Sequence, residues 1–122
     1  MKLALFYIPD LFFAPRIADA LKLLGFTTRE VDARGDVTTT LQGADLLVVQ
    51  LNGLREVWLT LIEMATKAGV PVLAFGRHTE PATLRAARQA GARAVPNSEL
   101  VSELPTLIEQ VIAAQQPDIP RE

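Results

Sequence analysis

The chain has 122 residues, 49% hydrophobic and 21% charged, which fits one folded domain and excludes a disordered chain. A net charge of −2 with interspersed signs leaves no basic block to track a phosphate backbone, and no apolar run approaches the roughly 18–20 residues of a membrane span. Without cysteine there is no disulfide, thiol nucleophile or thiolate metal site, and Pro9 and Asp10 end the apolar N-terminus too early for a signal peptide. A cytoplasmic protein with neither nucleic-acid nor membrane partners is therefore expected.

In chain order, KLALFYI (2–8) predicts a first strand. From Phe13, the residues Ile17, Ala20, Leu21 and Leu24 recur at helical spacing, and Gly25 sits where a left-handed cap belongs. TTREVDA (27–33) is half polar and predicts a weaker strand near a sheet edge. Asp36 is placed to cap a short helix through Gln42, with Val37 and Leu41 inward and Gly43 at its end. In DLLVVQLNG (45–53) an unbroken apolar run predicts a strand at 45–51 buried on both faces, ending on Gln50.

Leu54, Trp58, Leu61, Ile62 and Ala65 set a third helix closed by Gly69, with Trp58 in its inward stripe. VPVLAF (70–75) predicts an apolar fourth strand, in which Pro71 is tolerable near the start. Thr79 or Glu80 before Pro81 signals a fourth helix, with Leu84 and Ala87 inward and Gly91 at its close. ARAVP (92–96) predicts the last strand. Ser102 and Pro105 then open a helix carrying Leu104, Leu107, Ile108, Val111 and Ile112 inward. Five βα units with short connections predict a doubly wound α/β domain over residues 1–115, flavodoxin-like, with a parallel sheet in the order 2-1-3-4-5 and helices on both faces. The tail, residues 116–122, has two prolines and no periodicity and is expected to hang free.

The element order, the AGVPVLAF strand and TLRAARQAGARAV before the last βα unit resemble the CheY-like receiver domains of bacterial response regulators, over residues 1 to about 115. The resemblance implies a phospho-accepting aspartate ending the third strand, an acidic pair after the first strand that helps hold Mg²⁺, a Ser or Thr after the fourth and a Lys after the fifth. Here the aspartate position falls on Gln50 and the acidic pair on Ile8 and Pro9, with Asp10 the one nearby carboxylate. The Ser/Thr position falls on Gly76, and the Lys position on Asn97 or Ser98. NGLREV also lacks the proline-containing loop that normally follows the aspartate. An amide carbonyl cannot form an acyl phosphate, and one carboxylate is a poor substitute for paired Mg²⁺ ligands. The expectation is a pseudo-receiver with no catalytic residue, metal or cofactor, acting through protein partners. In receivers the fourth helix, fifth strand and fifth helix commonly form the partner face, which implies a homodimer through residues 80–115.

Each position also has a plainer reading. Gln50 reads as a strand-end amide bonded to its neighbours or as part of a ligand pocket, and Asp10 as a helix cap or a residual metal ligand. Arg77 and His78, together with the start of the fourth helix, form either an anion contact or a solvated loop. A small-molecule or anion sensor using the vacated pocket is thus the alternative function. Phe12 lies about 130° from the inward stripe at about 100° per residue, so it is either buried in its loop or part of a contact surface with Leu11. A flavodoxin-like enzyme lacks support, because IPDLFF stands where a Gly-rich phosphate loop would be.

Overall fold

The computed structural model describes residues 2–31 and 37–115. They form a parallel sheet in the order β2-β1-β3-β4-β5, as expected. Its strands are β1 (Lys2–Tyr7), β2 (Phe26–Glu30), β3 (Leu46–Gln50), β4 (Val72–Gly76) and β5 (Arg93–Pro96). Between and after them run α1 (Ala14–Leu23), α2 (Val37–Gln42), α3 (Arg55–Lys67), α4 (Pro81–Gln89) and α5 (Asn97–Gln115). None of these helices is long and apolar enough to cross a membrane.

Alternation along the strands explains how two helical layers share one sheet. Leu5, Leu47, Val49, Val72 and Ala74 point to one face, where they meet Leu41 of α2, Trp58, Leu61 and Ile62 of α3, and Leu84 and Ala87 of α4. Ala4, Leu46, Val48, Leu73 and Phe75 point to the other, against Ile17 and Leu21 of α1 and Leu100, Leu104, Leu107 and Ile108 of α5. Central β3 and β4 are buried at every residue, which is why they read as continuous apolar runs. Edge strand β2 buries Phe26 and leaves Thr27, Arg29 and Glu30 exposed, which is why it reads as half polar.

Several expectations shift. Strand β2 starts at Phe26 and ends at Glu30, and the Val31 N–H still reaches the Phe6 carbonyl at 2.8 Å. Asp32, Ala33, Asp36 and the tail 116–122 lie outside the described residues, as does the side chain of Val37. Leu24 and Leu54 leave their stripes: each sits just outside its helix, as C-cap and N-cap, and both are exposed. Helix α5 opens at Asn97, directly from β5, before Ser102. Its backbone breaks at Glu103 (φ −122°, ψ 20°), two residues before Pro105, so the proline marks a kink and a second helical piece. Phe12 is 68% and Leu11 82% exposed, so Phe12 is not buried in its loop; Arg16 lies over its ring at 5.6 Å.

Gly25, Gly69 and Gly91 follow α1, α3 and α4 at positive φ. At Gly91 (φ +115°) a Cβ would also run into Thr66, whose Cγ2 would lie 2.7 Å away. Thr66 Oγ1 donates to the Ala90 carbonyl at 3.1 Å, so α3 and α4 meet there through a contact that needs a glycine.

Candidate functional site

The registers Tyr7↔Val49, Gln50↔Phe75 and Gly76↔Pro96 bring the ends of β1, β3, β4 and β5 to one edge of the sheet. In open α/β sheets, ligands bind in the crevice outside that carboxyl edge. A pocket of ≈ 270 Å³ lies there, lined by Asp10, Phe13, Gln50, Leu51, Asn52, Gly76, Arg77, Glu80 and Asn97.

Gln50 is the one buried polar side chain among the described residues, 5% exposed. Its Oε1 accepts the Asp10 N–H at 2.9 Å, which ties the loop after β1 to the end of β3. Because an N–H is the donor, the atom facing it must be the carboxamide oxygen, and this fixes the orientation of the amide. Its Nε2 has no hydrogen-bond partner among the described residues.

Asp10 organises its own loop. Its Oδ1 accepts the Phe12 N–H at 2.8 Å, and its carbonyl accepts from the N–H groups of Phe13 and Ala14, each at 3.1 Å. The turn thus begins at Asp10, while the N-cap of α1 is Phe13, with no side-chain cap bond. Phe13 closes one side of the pocket and packs edge-to-face on Phe75 with centroids 5.8 Å apart.

After β3, the Asn52 N–H returns to the Gln50 carbonyl at 2.9 Å, and Asn52 Oδ1 accepts the Gly53 N–H at 2.8 Å. Gly53 (φ +81°) makes the turn possible. After β4, the Glu80 N–H reaches the Arg77 carbonyl at 3.0 Å, a turn that brings both side chains to the pocket. At Gly76 a Cβ would lie 3.3 Å from Leu51 Cβ and 3.6 Å from Leu84 Cδ2, so even the first carbon of a larger side chain needs Leu51 to give way. Asn97, the first residue of α5, places its Oδ1 in the interior with no hydrogen-bond partner.

Of the positions singled out in the sequence, Asp10, Gln50, Gly76, Arg77 and Asn97 line this one pocket. Ile8 does not; it is 2% exposed and packs in the core beneath α1 and α5. Pro9, His78 and Ser98 are exposed and do not line it either. Sequence reasoning missed Asn52 and Glu80 as pocket residues and left Phe13 in a helical stripe. All three lie within a few residues of a strand end, so the carboxyl-edge rule was the signal that pointed to them.

No protein-family model matches the chain, and no curated protein sequence matches it. Solved structures do. A CheY-like response regulator receiver domain protein from Methanospirillum hungatei JF-1 superposes with a TM-score of 0.75 at 16% identity, over 95% of this chain and 97% of that one. The fold is that of the CheY-like receivers. A putative pilus assembly-related protein from Burkholderia pseudomallei K96243 superposes with a TM-score of 0.74 at 22% identity, over 100% of this chain and 95% of that one. NtrX from Brucella abortus, in complex with ADP, gives a TM-score of 0.78 at 18% identity. The match covers 95% of this chain but spans only 28% of that NtrX chain. On the receiver fold, the pocket described above occupies the carboxyl edge, where Gln50 ends the third strand.

Proposed function

We propose that this chain is a cytoplasmic receiver-fold signalling module that acts through protein contacts and does not take up a phosphoryl group. The observation that carries this reading is Gln50: the last residue of β3 is a buried, neutral amide whose oxygen is already committed to the Asp10 N–H. A carboxamide oxygen is a poor nucleophile, and this one would lose a structural bond by reacting. Gly76 and Asn97 add neither hydroxyl nor ammonium to the same pocket, so the charge neutralisation that phosphoryl transfer relies on would fall to Arg77 alone, opposite the carboxylates of Asp10 and Glu80. Among the described residues no three His, Cys, Asp or Glu side chains come together in a group that could hold a metal ion. The output surface on this reading is α4, β5 and α5 within residues 80–115, with a homodimer or a protein partner there.

Incubation with acetyl phosphate and Mg²⁺ tests the proposal. The intact mass is expected to stay unchanged. A phosphorylated species that disappears in Asp10→Asn would overturn it, since Asp10 is a carboxylate of this pocket and its backbone is bonded to Gln50.

A second reading, a small-molecule sensor, is favoured by one observation: Asn97, which lines the pocket, has a buried Oδ1 without a hydrogen-bond partner. On this reading a ligand seated there alters the partner surface, and Arg77 is its charged contact.

A further inference from the structure

We propose that the carboxyl-edge pocket takes a small zwitterion of the size and charge of a free α-amino acid. This rests on the small-molecule reading and names its ligand class.

Two fixed polar atoms start the argument. Gln50 is 5% exposed, and the bond from the Asp10 N–H pins its oxygen. Its Nε2 therefore stands as an oriented donor in the pocket wall with nothing in the protein to receive its protons. Asn97 Oδ1 is a buried acceptor with no donor. Buried polar atoms in folded proteins almost always have partners, and among the described residues Asn97 Oδ1 is the buried side-chain atom left without one, while Gln50 Nε2 offers a donor in the same wall. A molecule that both accepts and donates answers the two.

The charged residues repeat the pattern. Asp10, Glu80 and Arg77 all line the pocket, yet no ion pair joins them. A simple anion drawn to Arg77 would share the space with two carboxylates. A simple cation drawn to Asp10 and Glu80 would share it with a guanidinium. A ligand carrying both charges meets each with its opposite: its carboxylate on Arg77 and Gln50 Nε2, its ammonium on Asp10 and Glu80, with the Asn97 side chain free to turn its unpartnered Oδ1 toward it. Arg suits the carboxylate because its forked donors can bind both oxygens at once.

Volume narrows the choice. At ≈ 270 Å³ the pocket lies just below the roughly 300–1,000 Å³ typical of ligand sites, too small to enclose a nucleotide and sufficient for an amino acid. Its lining is mostly polar, with Phe13 and Leu51 the apolar exceptions, which favours a ligand rich in charged and polar atoms with a small side chain.

The test is a thermal-shift and ¹⁵N NMR titration of the full chain. The probes are the common L-α-amino acids, each beside the amine that lacks its carboxylate and the acid that lacks its amine. At least one amino acid, at about 100 times its Kd, is expected to raise Tm by roughly 5–10 °C. The same amino acid should shift the backbone amides of Asp10, Leu51 and Asn97, while its two half-ligands bind at least tenfold more weakly. Arg77→Ala, an exposed position, should keep the unliganded Tm and weaken binding by roughly 10–100-fold, as expected for loss of a charge-assisted contact. Asn97→Leu should weaken it as well, and where that variant fails to fold Arg77→Ala decides alone. Equal binding by the acid alone would overturn the zwitterion assignment and leave a small-molecule site standing as an anion site. No binding by any of the three classes would overturn both. Binding that survives Arg77→Ala without shifting the pocket amides would place the ligand elsewhere and overturn the proposal.

Discussion

The two ends of β3 solve one problem in different ways. At the amino end, Asp45 clasps β1 with two bonds: its Oδ2 accepts the Leu3 N–H and its own N–H reaches the Leu3 carbonyl, both at 2.8 Å. At the carboxyl end, Gln50 Oε1 accepts the Asp10 N–H at 2.9 Å and holds the loop that follows β1. Each end fastens β1 to β3 beyond the regular ladder. Asp45 is exposed and Gln50 is 5% exposed, and that difference fits the choice of residue. A carboxylate is inexpensive where water reaches it. Where water is scarce and Asp10 and Glu80 already share the cavity, a neutral acceptor makes the same bond without adding a third negative charge. The amide is thus sufficient as a structural part, and its spare Nε2 is what a ligand would meet.

The strongest way to break this comparison is to exchange the chemistry at the buried end. Gln50→Glu retains an oxygen for the Asp10 N–H but introduces a carboxyl that burial and Asp10 both push toward its neutral form. The variant is expected to lose about 2 kcal/mol at neutral pH, equivalent to a shift of one to two pK units. The sign follows from proton linkage. With its folded-state pKa raised, the introduced carboxyl binds more protons in the native than in the unfolded chain. The deficit relative to the parent is therefore largest above the folded pKa and vanishes below the unfolded value of about 4.3. Urea unfolding of both chains at pH 7 and pH 4 measures it, and a deficit that does not shrink on acidification would show that this end tolerates charge as well as the other.

Gln50→Leu comes next. It keeps the volume and the apolar contacts but leaves the Asp10 N–H without its acceptor in a partly buried setting. The expected cost is about 1–2 kcal/mol. Amide hydrogen exchange should accelerate at Asp10 and at Phe12–Ala14, because the turn that Asp10 organises depends on that loop being held. Unchanged exchange there would mean that the ladder alone fixes the loop.

The sheet was legible in the sequence because burial and pattern are the same fact seen twice. Strands β3 and β4, covered on both faces, are apolar but for Gln50 at the end of β3, and the glycines after α1, α3 and α4 marked where each helix turns back. What was not legible came from interactions that pattern does not encode. The opening of α5 at Asn97 was hidden because NSELVSEL carries few inward residues before the kink, so the periodicity that starts at Leu104 looked like the whole helix. Leu24 and Leu54 matched the spacing of helices that end before reaching them. At the site, the positions of Gln50, Gly76 and Asn97 followed from strand ends, but the bond from the Asp10 N–H, the open Nε2 and the orphaned Asn97 Oδ1 needed coordinates. Exposure was the other blind spot: helical spacing set Phe12 apart from Phe13, which packs on Phe75, but left open whether Phe12 folds into its loop or faces out, as it does.

The smallest effect belongs to the amino end of β3. Asp45→Ala removes the acceptor for the Leu3 N–H, but that group is only half-buried and water can replace the carboxylate, so the change in stability should stay within about 0.5 kcal/mol. Asp45→Asn, which keeps an oxygen in place, should be smaller still, whereas Gln50→Leu at the other end costs several times more. The two clasps stand five residues apart along a strand, roughly 16 Å, with no shared partner, so their effects should add to within about 0.5 kcal/mol in Asp45→Ala/Gln50→Leu. A double variant far less stable than that sum would mean that each clasp backs up the other. The buried and exposed ends would then be one device holding β1, and the contrast between them would reflect solvent access alone.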